Sequence, residues 1–175
     1  MIYYSDTTIT IRTMLETDPS IIAAEERAQG WIHATNKKYL HRLAAHNAGK
    51  AVALVAEYNG EVAGYLNVYF DADAGPYTGL HLPELVDFGV LEKYRRKGIG
   101  TRLMDVAEQI ASEKADTVVL AVGLHSGYGS AQRMYVKRGY IPDGSGVWYD
   151  TSPAEPYQSY CNDDSLLLYF SKKLR

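Results

Sequence analysis

The chain has 175 residues, 46% of them hydrophobic and 22% charged, which suits a single globular domain over residues 1–175 with a substantial core. A formal charge of −3 argues against the broadly basic surface that nucleic acid or anionic lipid selects, so neither is an expected partner and phosphate recognition has to be local. The only cysteine, Cys161, leaves no internal disulfide, cysteine-rich zinc site or CxxC pair, and with no leader-like or bilayer-length apolar segment of ~20 residues the expected compartment is the cytoplasm.

Thr8 to Met14 alternates polar and apolar residues, which predicts a half-buried strand, and the segment after Asp18-Pro19-Ser20 reads as helix. A second helix is expected at about Asn36 to His46. Lys50 to Tyr58 and Glu61 to Phe70 are strand-like runs joined by Asn59-Gly60, a pair that tolerates positive φ and signals an antiparallel hairpin. Asp71 to His81, with Gly75, Pro76 and Gly79, reads as a loop ahead of a strand at Glu84 to Leu91.

From Ile99 onward Leu103, Val106, Ala107 and Ile110 recur at helical spacing, the clearest helix in the chain. Thr117 to Val122 is a valine-rich run typical of a strand covered on both faces. Ser130 to Arg138 reads as a short helix ended by Gly139, and the strand-helix-strand order from Glu84 implies a right-handed parallel crossover. Val147 to Tyr149 and Leu166 to Ser171 are the remaining strand candidates.

The chemistry concentrates between the strand ending near Val90 and the helix opening at Ile99. Here Arg95, Arg96, Lys97, Gly98, Ile99, Gly100 and Thr101 follow one another. The glycines let backbone approach a ligand, the first helical amides point outward, and the positive end of the helix dipole adds to the guanidinium groups. A pyrophosphate fits such a turn. A dinucleotide fold would want GxGxxG, but residue 103 is leucine, and a Walker A loop is absent. A solvated basic turn is the plain alternative.

Arg95-x-x-Gly98-x-Gly100 resembles the Arg/Gln-x-x-Gly-x-Gly/Ala motif of the GNAT acetyltransferases. Phe88-Gly89-Val90 is similar to that family's bulged strand, whose backbone pairs with pantetheine, and Ala131 to Tyr140 resembles its later A-x-x-x-Y-x-x-x-G-F signature. The likeness covers roughly residues 50 to 141. It implies an α/β fold with a mixed, mainly antiparallel sheet, splayed central strands near Val90 and Val122, and helices on both faces. It also implies acetyl-coenzyme A as co-substrate, with its pyrophosphate on Arg95 to Thr101 and its thioester between Val90 and Tyr135. One departure stands out: the asparagine that often opens the later signature falls at Tyr128, where His125-Ser126-Gly127-Tyr128-Gly129 offers other backbone donors or an ordinary loop.

Acetyl transfer needs an uncharged amine, whereas a primary amine near pKa ~10 is mostly ammonium at neutral pH, so a base is required. The resemblance puts Glu84, in Glu84-Leu85-Val86, where the histone-acetyltransferase branch has its glutamate base. Asp87 and His125 are the other candidates, and a solvated carboxylate with a water chain is the alternative for Glu84. Strand alternation sets Glu84 and Asp87 on opposite faces unless a bulge intervenes. A backbone amide freed by a bulge near Val90 would stabilise the carbonyl oxygen. The resemblance aims Tyr135 at the departing thiolate as general acid, against the alternative of a core tyrosine.

His33, His41 and His46 lack the carboxylate pairing of a helical metal site, so no metal is expected. Core packing is the expected role for most of Trp31, Tyr39, Tyr65, Tyr69 and Tyr77, with an acceptor cleft as the other. Asp71, Asp73, Glu84 and Asp87 point to a small cationic amine, such as a polyamine or amino sugar, as acceptor. The alternatives are a protein or peptide amine, or a non-catalytic module that senses coenzyme A. A homodimer is compatible with this reading.

Overall fold

The computed structural model describes residues 1–31 and 35–175; His33 lies outside them. The chain divides into two compact units, Met1–Tyr69 with Val86–Ile110, and Phe70–Leu85 with Ala111–Arg175. Strand β5 (Glu84–Val90) contributes its first two residues to the second unit and the rest to the first.

In the first unit the strands run in the order β1 (Ile2–Ser5), β2 (Ile9–Thr13), β3 (Ala51–Tyr58), β4 (Glu61–Tyr69) and β5. The hairpin expected at Asn59-Gly60 is present: both residues have positive φ, 52° and 83°, and Tyr58 pairs with Glu61. Those angles fit a type I′ turn, whose twist matches that of the strands it joins. Helices α1 (Asp18–Ala28), α2 (Asn36–Asn47) and most of α3 (Ile99–Ser112) complete the unit.

α1 begins where Pro19 can give up its amide without cost and ends as Gly30, at φ 92°, lets Trp31 N donate to Glu26 O at 2.9 Å. Ile22, Ala23 and Tyr39 are fully buried with Leu43, Ala53, Val55 and Tyr65 in one cluster. Each large aliphatic or aromatic side chain so covered contributes about 1.5–3 kcal/mol. The start of α1 is tied down by Asp18, buried and bound to Arg12 Nη1 at 2.6 Å, Arg12 Nη2 at 3.0 Å and Leu15 N at 2.6 Å.

In the second unit the order is β5, β6 (Thr117–Gly123), β9 (Leu166–Lys173), β7 (Ile141–Tyr149) and β8 (Ser152–Pro153). β5 and β6 pair parallel, Glu84 opposite Val119 and Leu85 opposite Leu120, while β6 pairs antiparallel with β9 from Thr117 through Gly123. The parallel register thus stops at Leu85, and Ala121 to Gly123 are laddered on the β9 side. Helix α4 (Gly129–Lys137) closes as expected at Gly139, where φ 88° allows Tyr140 N to reach Tyr135 O at 3.0 Å. Ala72, Tyr77, Val119 and Tyr169 form a core cluster of this unit.

Three elements depart from the sequence reading. β1 was not expected; it is a four-residue edge strand with mostly exposed side chains, so no buried face marks it. β7 starts at Ile141 rather than Val147. Pro142 and the positive-φ glycines Gly144 and Gly146 disguise its first half, and the register with β9 shifts between Pro142 and Val147. β8 is a two-residue strand paired with the end of β7. No helix among the described residues is long and apolar enough to cross a membrane.

Candidate active site

In the first unit, β5 leads through a 3-10 turn at Glu92–Tyr94 into the segment before α3. Arg95, Arg96, Lys97, Gly98 and Thr101 are all exposed. Arg96 and Gly98 hold left-handed backbones, φ 61° and 82°, which folds the segment back so that α3 can start at Ile99. Arg102 N bonds to Gly98 O at 3.1 Å. By helix geometry the amides of Ile99, Gly100 and Thr101, ahead of that bond, have no intrahelical acceptor. Space in front of the turn is open, because nothing lies within 4 Å of the position a Gly98 Cβ would take.

The cations around the turn are only partly spoken for. Arg95 Nη1 is 3.3 Å from Glu92 Oε1 and its Nε donates to Val90 O at 3.4 Å, and Lys97 Nζ lies 4.8 Å from the Tyr58 ring centre. Among the described residues Arg96 has no ion-pair partner. Open space, outward amides and guanidinium groups at a helix start form an anion site suited to a diphosphate.

β5 is irregular. Asp87, a non-glycine residue inside the strand, sits at φ 52°, the mark of a bulge. The irregularity lies three residues ahead of Val90, and strict alternation from Glu84 to Asp87 does not hold. Asp87 Oδ2 accepts from Arg42 Nε at 2.6 Å, and Oδ1 faces Lys38 Nζ at 3.7 Å, so one oxygen is hydrogen-bonded to a guanidinium and the other looks toward an ammonium. That makes Asp87 a poor candidate base. Phe88, Gly89 and Val90 follow it, and two glycines let this strand be approached closely. A Cβ on Gly64 would meet Gly89 O at 2.8 Å, and one on Gly100 would meet Phe88 Cζ at 3.1 Å, so α3 packs its second residue onto the strand.

In the second unit Glu84 is 9% exposed at the start of β5. Burial, and then the charge of Glu84, push the Tyr169 phenol up to about 12. Tyr135, on α4, is buried with its ring edge-on to Tyr140 at 5.7 Å between centres. Burial first, and Tyr128 second, raise its phenol well above the usual range, so it stays protonated at neutral pH. Tyr128 donates to Asp164 Oδ1 at 2.8 Å, and its ring fills the space where a Gly123 Cβ would stand 2.4 Å away. His125 accepts from Gly127 N through Nδ1 at 3.1 Å, so Nε2 carries the proton toward Asp164 Oδ1, also at 3.1 Å. With both nitrogens occupied, His125 is not placed to take a proton from an amine.

The sequence matches the acetyltransferase (GNAT) family over residues 14–140, a stretch that runs through both units. The chain belongs to the GNAT family. It is an N-acetyltransferase whose acetyl donor is acetyl-coenzyme A. A curated relative, an uncharacterized N-acetyltransferase of Chlorobaculum tepidum, is 31% identical over 116 residues, 65% of this chain and 67% of that protein. Among solved structures, a putative acetyltransferase, yncA, from Salmonella typhimurium with its cofactor acetyl-CoA has TM-score 0.68 at 16% identity, covering 97% of this chain and 95% of that one. An acetyltransferase from Salmonella typhimurium that modifies the N-terminal serine of ribosomal protein L7/L12 has TM-score 0.71 at 12% identity, covering 99% of both chains. At these identities the structures are similar in fold.

Within this GNAT chain the first unit brings Phe88, Val90 and Gly100 into contact range, with Arg95 bound to Val90 O. Glu84, Tyr128 and Tyr135 belong to the second unit. The sequence reading missed Gly64 and Gly123, whose bare Cα positions accept the neighbouring strand and the Tyr128 ring. It also missed Glu26, 2% exposed, which accepts from Tyr39 OH at 2.6 Å and from Tyr65 OH. A glutamate inside a helix gives no sequence sign of burial, although two tyrosines at strand and helix core positions are consistent with it.

Proposed function

We propose that residues 1–175 act as one catalytic domain that acetylates a primary amine of a small cationic molecule in the cytoplasm. The turn from Arg95 to Thr101 carries this reading: open amides at a helix start, flanked by exposed guanidinium groups, bind the diphosphate of acetyl-coenzyme A. Arg95, Arg96, Lys97, Gly98, Ile99, Gly100 and Thr101 hold that group, and Phe88, Gly89 and Val90 offer backbone to the pantetheine arm. Tyr128 lines the cofactor arm where the family often has asparagine.

Glu84 accepts, directly or through water, the proton that the acceptor's ammonium must lose before the free amine attacks the thioester. Its place at the start of β5, where it is 9% exposed, supports it. Tyr135 returns a proton to the coenzyme A thiolate, a role that fits a phenol kept protonated by burial. Each such group contributes ~10²–10⁴ in rate, and alignment of amine with thioester contributes more.

The test is thiol release from acetyl-coenzyme A with a panel of diamines, amino sugars and peptides bearing free N-termini. Release that depends on a small amine supports the reading. Release with peptides alone moves the acceptor to a protein amine, as in the ribosomal-protein enzyme of similar fold, and binding of coenzyme A without any release makes the chain a sensor.

A further inference from the structure

Lys38 and Arg42 lie four residues apart on α2, so they share a helix face. Both reach Asp87. Arg42 fixes one side of it: Nε donates to Oδ2 at 2.6 Å, Nη1 donates to Tyr69 OH at 2.8 Å, and the guanidinium lies 5.2 Å from the Tyr69 ring centre. Asp87 Oδ1 is left facing Lys38 Nζ at 3.7 Å, longer than a hydrogen bond. The same ammonium stands 4.8 Å from the Tyr39 ring centre and 5.9 Å from that of Tyr65, within cation–π range.

The two rings cannot move away. They meet edge-on at 5.0 Å, and both hydroxyls donate to the buried Glu26 carboxylate. Behind them Tyr65 touches Gly89, and Asp87 immediately precedes Phe88. A carboxylate oxygen and two immobilised aromatic faces therefore surround a primary ammonium beside the strand that the proposed function assigns to pantetheine. The present occupant is loosely held: Lys38 has a side chain 45% exposed and its ion pair is long and open to solvent.

We propose that Lys38 occupies the seat of a second ammonium belonging to the acceptor, which displaces the lysine head and rests on Tyr39, Tyr65 and Asp87. A nitrogen held against a carboxylate and two ring faces is kept charged and cannot be the nucleophile. The acceptor class is therefore a compound with at least two amino groups, one seated and one acetylated. This rests on the reading that the acceptor is a small primary amine.

The experiment compares 1,4-diaminobutane with butylamine in the wild-type protein, Lys38→Met and Asp87→Asn. It also follows Tyr39 and Tyr65 ring resonances by NMR while tetramethylammonium, which cannot be acetylated, is added. Lys38→Met is expected to lower KM for the diamine about threefold and leave that for the monoamine unchanged, with tetramethylammonium binding tightened likewise. Asp87→Asn is expected to raise the diamine KM about tenfold with acetyl-coenzyme A affinity unaltered. A diamine-to-monoamine preference that neither variant changes, or tyrosine resonances that ignore tetramethylammonium in Lys38→Met, overturns the seat even if thiol release proceeds. Resonances that respond in a protein releasing no thiol sustain the seat and defeat the catalytic reading instead.

Discussion

Tyr65 lies so close to Gly89 that a Cβ added to the glycine would stand 2.5 Å from both the Cζ and the hydroxyl of the ring. The ring cannot yield, because its hydroxyl is bound to Glu26 and its edge is packed against Tyr39. Gly89→Ala is therefore expected to cost about 1–3 kcal/mol, the usual range for overpacking a filled site. Urea unfolding measures it. In a Tyr65→Leu background the same alanine is expected to cost much less, and equal penalties in the two backgrounds would show that Tyr65 is not the obstacle.

Alkali should unfold the protein through its buried phenols. Burial is the first cause that raises Tyr39, Tyr65 and Tyr135, and Tyr169 is pushed up to about 12. Unfolded tyrosine titrates near ~10, so above that pH the unfolded chain binds fewer protons than the native one, and the stability of the native state falls as pH rises. The contribution is complete below pH ~10 and is lost progressively as pH climbs through the folded values. Thermal melts from pH 8 to 11.5 are expected to show a flat Tm followed by a decline, with the phenolate absorbance of Tyr39, Tyr65 and Tyr135 appearing only on unfolding and that of Tyr169 beginning in the native protein at the top of the range.

Much of the fold was legible because local signals agreed with one another. Asn59-Gly60 dictated a hairpin, the Ile99 to Ile110 stripe dictated α3, and Gly139 ended α4 through the backbone angle that glycine favours. The backbone of the turn ahead of α3 was legible for the same reason, Gly98 taking the left-handed angle that glycine favours and Gly100 admitting the close approach of Phe88. What escaped depended on contacts distant in sequence. Asp87 meets Arg42 and His125 meets Asp164 across 45 and 39 residues, and no periodicity encodes those contacts. Glu26 meets Tyr39 and Tyr65 across 13 and 39 residues, and the first half of β7 is hidden by Pro142, Gly144 and Gly146.

Arg96 separates stability from binding. Its φ of 61° is strained for a side chain-bearing residue, by about 1–2 kcal/mol for a left-handed conformation. Arg96→Gly relieves the strain and also removes an exposed guanidinium from the proposed diphosphate site. The variant is expected to unfold at higher urea while its Kd for acetyl-coenzyme A rises about tenfold, the equivalent of about 1.4 kcal/mol. Calorimetric titration at low and high salt checks the second half, and the difference from wild type should shrink as salt screens the lost charge.

Tyr135 offers the sharpest test of the proposed chemistry, because Tyr135→Phe removes one oxygen from a ring whose packing against Tyr140 it retains. If the phenol returns the thiolate proton, kcat is expected to fall about 10²-fold or more, with acetyl-coenzyme A affinity within about twofold of wild type. The pH profile adds a second readout. Burial holds the phenol above its ordinary value, so wild-type kcat is expected to show no alkaline loss from Tyr135 up to pH ~10. Glu84→Gln should instead flatten the acid limb of kcat/KM, since that limb reports the protonation of the base. Turnover unchanged in Tyr135→Phe would leave Tyr135 a core residue and pass the thiolate's proton to water.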